Sequence, residues 1–313
     1  MSRGLRRWSV GLFLYLAFCA VGGVYLADGT LHPPRRPLTD DQASAMQLST
    51  QALGATMEDI AIATSDGVTL RAWKIRPHPS NGDDVLLLHG LGDNRIGVTG
   101  YARLFASHGF TVLLPDARAH GTSGGELATY GLLERNDIRD WLNLLENQDH
   151  PHCVYGFGES MGAAQLLQSL ETRPNLCAVA AESPFATFRE IAYDRMGQPF
   201  HLGPWFGCTV LRPLVEIAFL RARWKYGLKM QQVSPEDSVA TTDIPVLLIH
   251  GQADSNIPVR HSRRIRARNP NANLWEVPGA EHCGAIAAAP QEFEQRLLIW
   301  FTSRSRQQTA LKY

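Results

Sequence analysis

A serine, an aspartate and a histidine stand in this chain where they could carry out acyl transfer. Ser160 sits in Gly158-Glu159-Ser160-Met161-Gly162, between the apolar run Cys153–Phe157 and the helical pattern that starts at Met161. A G-x-S-x-G between strand and helix forms a sharp turn that exposes the serine hydroxyl at the sheet edge. It also puts that hydroxyl at a helix N-terminus, whose free N–H groups favour developing negative charge. A serine needs a base. His282, in Pro278-Gly279-Ala280-Glu281-His282-Cys283-Gly284, follows the last strand pattern and precedes the last helix. His89 and His250 each end an apolar run before glycine and read as structural, His120 lies in a loop, and His261 reads as a surface residue among arginines.

The base needs a carboxylate to orient it. Asp254 lies just past the run Val246–His250, and Glu182, just past Ala178–Ala181, is the rival. With Asp254 the order is Ser…Asp…His, with separations of 94 and 28 residues. An oxyanion must also be held. His89-Gly90-Leu91-Gly92 turns sharply after an apolar run, so the N–H groups of Leu91 and Met161 are the expected donors. No H-E-x-x-H or clustered His/Asp set suggests a metal, and the five cysteines lack zinc spacing, so no metal is expected.

The elements that must position these groups alternate. Val85–His89, Phe110–Leu114, Cys153–Phe157, Ala178–Ala181 and Val246–His250 are continuous apolar runs, as in strands buried on both faces. Asn273–Val277 reads as a weaker strand, and Glu58–Ile62 and Val68–Ile75 flank the turn Ser65-Asp66-Gly67. Helical patterns lie at Val98–His108, Asn136–Glu146, Met161–Thr172, Val259–Ala267 and Gln291–Ser303. The fold class is α/β: a mostly parallel sheet with helices on both faces and ligands beyond the strand ends. Core residues 55–183 and 233–313 are interrupted by 184–232. Pro184–Gln232 holds nine aromatics in 49 residues, too long for a plain crossover, and reads as a helical cap that packs on the body, lines an apolar substrate pocket, or both.

Residues 1–27 differ from the rest. Arg3, Arg6 and Arg7 precede the uncharged stretch Trp8–Ala27, long enough to cross a bilayer. The reading is a single-pass anchor with the body outside the cytoplasm, on the periplasmic side in a bacterium. Cleavage at Ala20-Val21-Gly22 and a lipobox at Leu16-Ala17-Phe18-Cys19 are the alternatives. Residues 28–54 read as a linker, with His32–Pro37 an extended tether. Cys153 and Cys177 each begin a parallel strand beside the elbow helix. They either form a disulfide, if the body is exported, or remain two buried thiols.

With 30 Lys+Arg against 30 Asp+Glu in 313 residues, no net field favours nucleic acid. The composition, 44% hydrophobic and 19% charged, supports a large core.

His89-Gly90, Gly158–Gly162, Asp254, His282 and the loop Asp116-Ala117-Arg118-Ala119-His120-Gly121-Thr122-Ser123 together resemble the α/β-hydrolase superfamily. The resemblance is in particular to its monoacylglycerol-lipase-like and serine-aminopeptidase-like branch. The resemblance spans roughly residues 55–303 and implies a serine hydrolase with a cap after the sixth strand. It also implies Leu91 and Met161 as oxyanion donors and no cofactor. That branch usually has glycine where Ala119 stands. The expected activity is hydrolysis of an acyl ester or thioester of a small or lipid-like substrate through Ser160, His282 and Asp254. The alternatives are a peptidase or amidase of the same fold, or an inactive binding module at the membrane.

Overall fold

Eight strands form one sheet in the order β1-β2-β4-β3-β5-β6-β7-β8 in the computed structural model, which describes residues 3–311. They are β1 (Ala55–Ala63), β2 (Thr69–Pro77), β3 (Asp84–Leu88), β4 (Thr111–Pro115), β5 (Val154–Glu159), β6 (Ala178–Glu182), β7 (Val246–Gly251) and β8 (Asn273–Val277). β1 and β2 pair antiparallel, β2 runs antiparallel to β4, and every later pairing is parallel. The continuous apolar runs are the central strands, buried along their length in β3, β4 and β6. The edge strand β1 is largely exposed.

The helices are α1 (Arg3–Leu31), α2 (Asp40–Ala52), α3 (Thr99–Ser107), α4 (Glu134–Asp149), α5 (Met161–Ser169), α6 (Phe188–Gly197), α7 (Gly203–Cys208), α8 (Arg212–Tyr226), α9 (Pro235–Ala240), α10 (Arg260–Arg268), α11 (Ala285–Ala288) and α12 (Pro290–Leu311). Alternate residues of β3 feed opposite layers, as the two-residue strand period requires. Val85 and Leu87 face Phe105 of α3 and Phe293 and Phe301 of α12. Leu86 and Leu88 face Trp141 of α4 and Leu166 and Leu167 of α5.

The chain divides into two compact units. One comprises Pro33–Ala186 and Ser234–Tyr313 and holds the sheet; the other comprises Met1–His32 and Thr187–Val233 and is helical. The N-terminal helix thus groups with the expected cap segment. The linker reading of residues 28–54 needs correction. α1 continues to Leu31, and residues 40–52 are helical, opened by a reciprocal capping box of Thr39 and Gln42 that spans Asp40 and Asp41. Nor is the proline-rich stretch free: Arg35 donates to the carbonyls of Ser123 and Gly125, and Arg36 pairs with Asp93 at 2.9 Å.

Cys153 and Cys177, immediately before β5 and β6, are joined, with Cα atoms 5.7 Å apart and a sequence separation of 24. Closing a loop of that length is worth about 3 kcal/mol through the unfolded state. Cys153→Ala/Cys177→Ala should therefore lower the unfolding free energy by that amount and shift the urea midpoint down accordingly. Reductant should bring the wild type down to the variant and leave the variant unmoved. Equal midpoints without reductant would contradict the stabilising role.

Candidate active site

The turn from β5 into α5 places Ser160 at φ +51° and ψ −112°, a costly conformation for a residue with a side chain. The neighbouring glycines permit it. A Cβ on Gly158 would lie 2.6 Å from the carbonyl carbon of Gly162, and one on Gly162 would lie 2.4 Å from the carbonyl oxygen of Leu88. The Ser160 N–H donates to the Glu182 carbonyl at 2.8 Å, and the Ser160 carbonyl accepts from Ala164 N at 3.1 Å. The elbow is thus tied to β6 on one side and to α5 on the other.

His282 lies in the loop after β8, and Asp254 in the loop after β7. The two loops are stitched together: Gln252 N donates to Val277 O at 3.0 Å and Ala253 N to Ala280 O at 2.9 Å. Gly251 makes the approach possible, since a Cβ there would sit 2.2 Å from the Ala280 carbonyl oxygen. As a result, His282 Nδ1 is 2.8 Å from Asp254 Oδ2, and His282 Nε2 is 2.8 Å from Ser160 Oγ. The other carboxylate oxygen of Asp254 accepts from Asn256 N at 2.9 Å and Ile257 N at 2.8 Å.

Burial alone would raise the pKa of Asp254. Hydrogen bonds from His250 and His282, with the N–H of Ile257, outweigh it and hold the carboxyl well below the usual range. An ionised Asp254 keeps the His282 proton on Nδ1, which leaves Nε2 to accept from the Ser160 hydroxyl. A hydroxyl in that arrangement can attack a carbonyl as its proton passes to the imidazole.

Glu182, the rival acid, does another job. It accepts from Tyr101 Oη at 3.1 Å and from Ala285 N at 2.9 Å, behind the His282 loop. Burial pushes its carboxyl pKa up. Glu159 is pushed up to about 8, first by burial and then by the charge of Glu182. Cys283 holds φ +51°, its N–H donates to Ser183 Oγ at 3.3 Å, and burial pushes its thiol up.

Of the two expected oxyanion donors, Met161 is the buried first residue of α5, where backbone N–H groups lack intrahelical partners. Leu91 is half-exposed in the loop after β3. That loop stands beside the serine: a Cβ on Gly90 would lie 3.6 Å from Ser160 Cβ. His89 props it, accepting from Ala117 N at 3.0 Å on Nε2, with Nδ1 2.8 Å from the Gly90 carbonyl oxygen. Burial, then the neighbouring His120, lowers the pKa of His89 to about 4, so the ring is neutral at pH 7. Asp116 is likewise structural. It accepts from Arg95 N and Nη2, each at 2.8 Å, and from Thr122 N at 2.7 Å.

Two histidines correct the sequence reading. His261, expected at the surface, is fully buried and accepts from Ala186 N at 3.1 Å, because the arginines of α10 occupy its other face. His250 is more than a strand terminus. Its Nε2 lies 3.4 Å from Asp254 Oδ2 and 2.7 Å from the Ile257 carbonyl oxygen, which makes it a positioning residue for the acid. Its only sequence signal was its place four residues before Asp254.

Residues 85–296, more than half of the chain, match the model of the alpha/beta hydrolase family. The chain is 30% identical to the uncharacterized protein YqkD of Bacillus subtilis over 226 residues, 71% of each chain. It is 26% identical to the uncharacterized protein YfhR of Escherichia coli K12 over 241 residues, 74% of this chain and 75% of the relative. Among solved structures it is similar to an esterase of Pyrococcus furiosus, with TM-score 0.67 and 24% identity, covering 88% of this chain and 98% of the other. The chain belongs to the alpha/beta hydrolase family.

Proposed function

We propose that this protein is a membrane-anchored serine hydrolase that cleaves an acyl ester or thioester of a small or lipid-like substrate through an acyl-enzyme. Ser160 attacks the acyl carbonyl while His282, oriented by Asp254, takes its proton and returns it to the leaving group. The N–H groups of Leu91 and Met161 hold the oxyanion, and water then releases the acyl group. The observation that carries this reading is the unbroken relay at 2.8 Å from Ser160 Oγ to His282 and at 2.8 Å from His282 to Asp254. Support for the site outside the cytoplasm comes from Arg6 and Arg7 ahead of the apolar helix and from the Cys153–Cys177 bond, which fits an oxidising compartment.

A fluorophosphonate probe tests the nucleophile. The wild type should be labelled and Ser160→Ala should not; equal labelling would reject Ser160. On the same preparation p-nitrophenyl esters should turn over and aminoacyl-naphthylamides should not. The reverse preference would make the protein a peptidase.

A further inference from the structure

α1 is apolar enough to cross a bilayer, with mean hydropathy 2.1 over its most apolar 18 residues, yet it carries a buried stripe. Cys19, Gly23, Ala27 and Leu31 are buried at a spacing of four residues, while Phe13, Leu16, Phe18 and Val21 face outward. Four-residue spacing puts a stripe on one face of a helix, and small residues there let another backbone approach.

The partner is α8. A Cβ on Gly23 would lie 2.7 Å from the Leu214 carbonyl oxygen and 2.7 Å from Ile217 Cγ2, and one on Gly22 would lie 2.8 Å from Leu214 Cδ1. By contrast a Cβ on Gly11 would meet nothing within 4 Å. At the far end Asp28 accepts from Arg221 Nη2 at 3.2 Å, Lys225 Nζ at 3.2 Å and Tyr226 Oη at 2.8 Å. At the near end Tyr15 Oη donates to the Val210 carbonyl at 2.5 Å.

These contacts fix a parallel register: Tyr15 meets Val210, Gly23 meets Ile217, and Asp28 meets Arg221. The uncharged stretch Trp8–Ala27 is ~30 Å long at ~1.5 Å per residue, matching the hydrocarbon thickness. Val210 and the start of α8 therefore lie alongside α1 at hydrocarbon depth, and Arg221, Lys225 and Tyr226 lie at its water end. The composition of the segment follows that gradient. Between Gly197 and Val215 the only Lys, Arg, Asp or Glu is Arg212, which is near Glu216; that carboxylate also takes Arg189 and Tyr193 Oη. Leu202, Trp205 and Val210 are exposed there. Arg221, Arg223, Lys225 and Lys229 crowd the other end.

We propose that α1 is a permanent helix of the cap unit, not a removable leader, and that α7 and the first half of α8 lie beside it among phospholipid acyl chains. Docking through Gly22, Gly23 and Asp28 holds the cap in the bilayer, and the basic end of α8 sits at the headgroups.

The test uses the full chain in phospholipid nanodiscs, with p-benzoylphenylalanine placed singly at Phe13, Trp205, Val210 or Ser80. Photolysis should give acyl-chain adducts at Phe13, Trp205 and Val210 and none at Ser80, which is exposed in the β2–β3 loop. Adding Gly23→Leu should abolish the adducts at Trp205 and keep those at Phe13, whereas Gly11→Leu should change neither. Adducts at Phe13 without any at Trp205 or Val210 would overturn the embedding. Adducts at Trp205 that survive Gly23→Leu would overturn the docking. No adduct at Phe13 would sink the anchor itself. None of these readouts depends on hydrolysis, so they stand or fall apart from the reading of Ser160.

Discussion

Ser160→Ala and His282→Ala should each lower kcat by about 10⁴- to 10⁶-fold, and the double variant should be no slower than either single one. The reason is geometric. His282 Nε2 can activate only the hydroxyl 2.8 Å away, so removing either partner leaves the other idle. KM should move little, because the relay acts on the transition state and not on binding. Asp254→Asn should cost about 10³- to 10⁴-fold, since an amide no longer pins the Nδ1 proton of His282. Steady-state kinetics on a p-nitrophenyl ester, with Tm measured alongside, checks all four variants. A double variant in which the single losses multiply would mean that the two side chains act independently, and the relay would be without function.

The largest stability effect is expected at a residue with no side chain. Gly162→Ala puts a methyl group 2.4 Å from the Leu88 carbonyl oxygen and 2.7 Å from that of His89. Both are backbone atoms, of β3 and the loop that follows it, so relief requires moving the sheet or the elbow. The variant should lose about 4 kcal/mol or more, or fail to fold. Gly100→Ala is the control. Position 100 lies in α3 with nothing within 4 Å of a Cβ, so the same substitution should stabilise by about 0.4–1 kcal/mol by restricting the unfolded chain. Urea unfolding in detergent micelles measures both. A Gly162→Ala protein as stable as the wild type would show that the elbow tolerates a wider turn.

Much of the sheet was legible because its evidence is local. Val85–His89 and Val246–His250 are apolar over a strand's length and are followed by glycine, and such runs became β3 and β7 with boundaries shifted by at most one residue. The elbow was legible for the same reason, since glycines flank the serine within five residues. α2 was not. Its four-residue capping box was hidden in a stretch where prolines and arginines dominated the reading.

The amino-acid order alone determined the Ser…Asp…His succession, the strand–turn–helix around Ser160 and the apolar N-terminal helix. Each depends on side chains a few residues apart, whose periodicity and turn chemistry act before any distant contact forms. Only the tertiary structure decided that Asp254 and not Glu182 meets His282, that His250 steadies Asp254, and that α1 docks on α8. Those outcomes depend on loop approach and helix register between segments from four to about two hundred residues apart. Ångström differences in backbone packing select one partner there, and no local pattern encodes them.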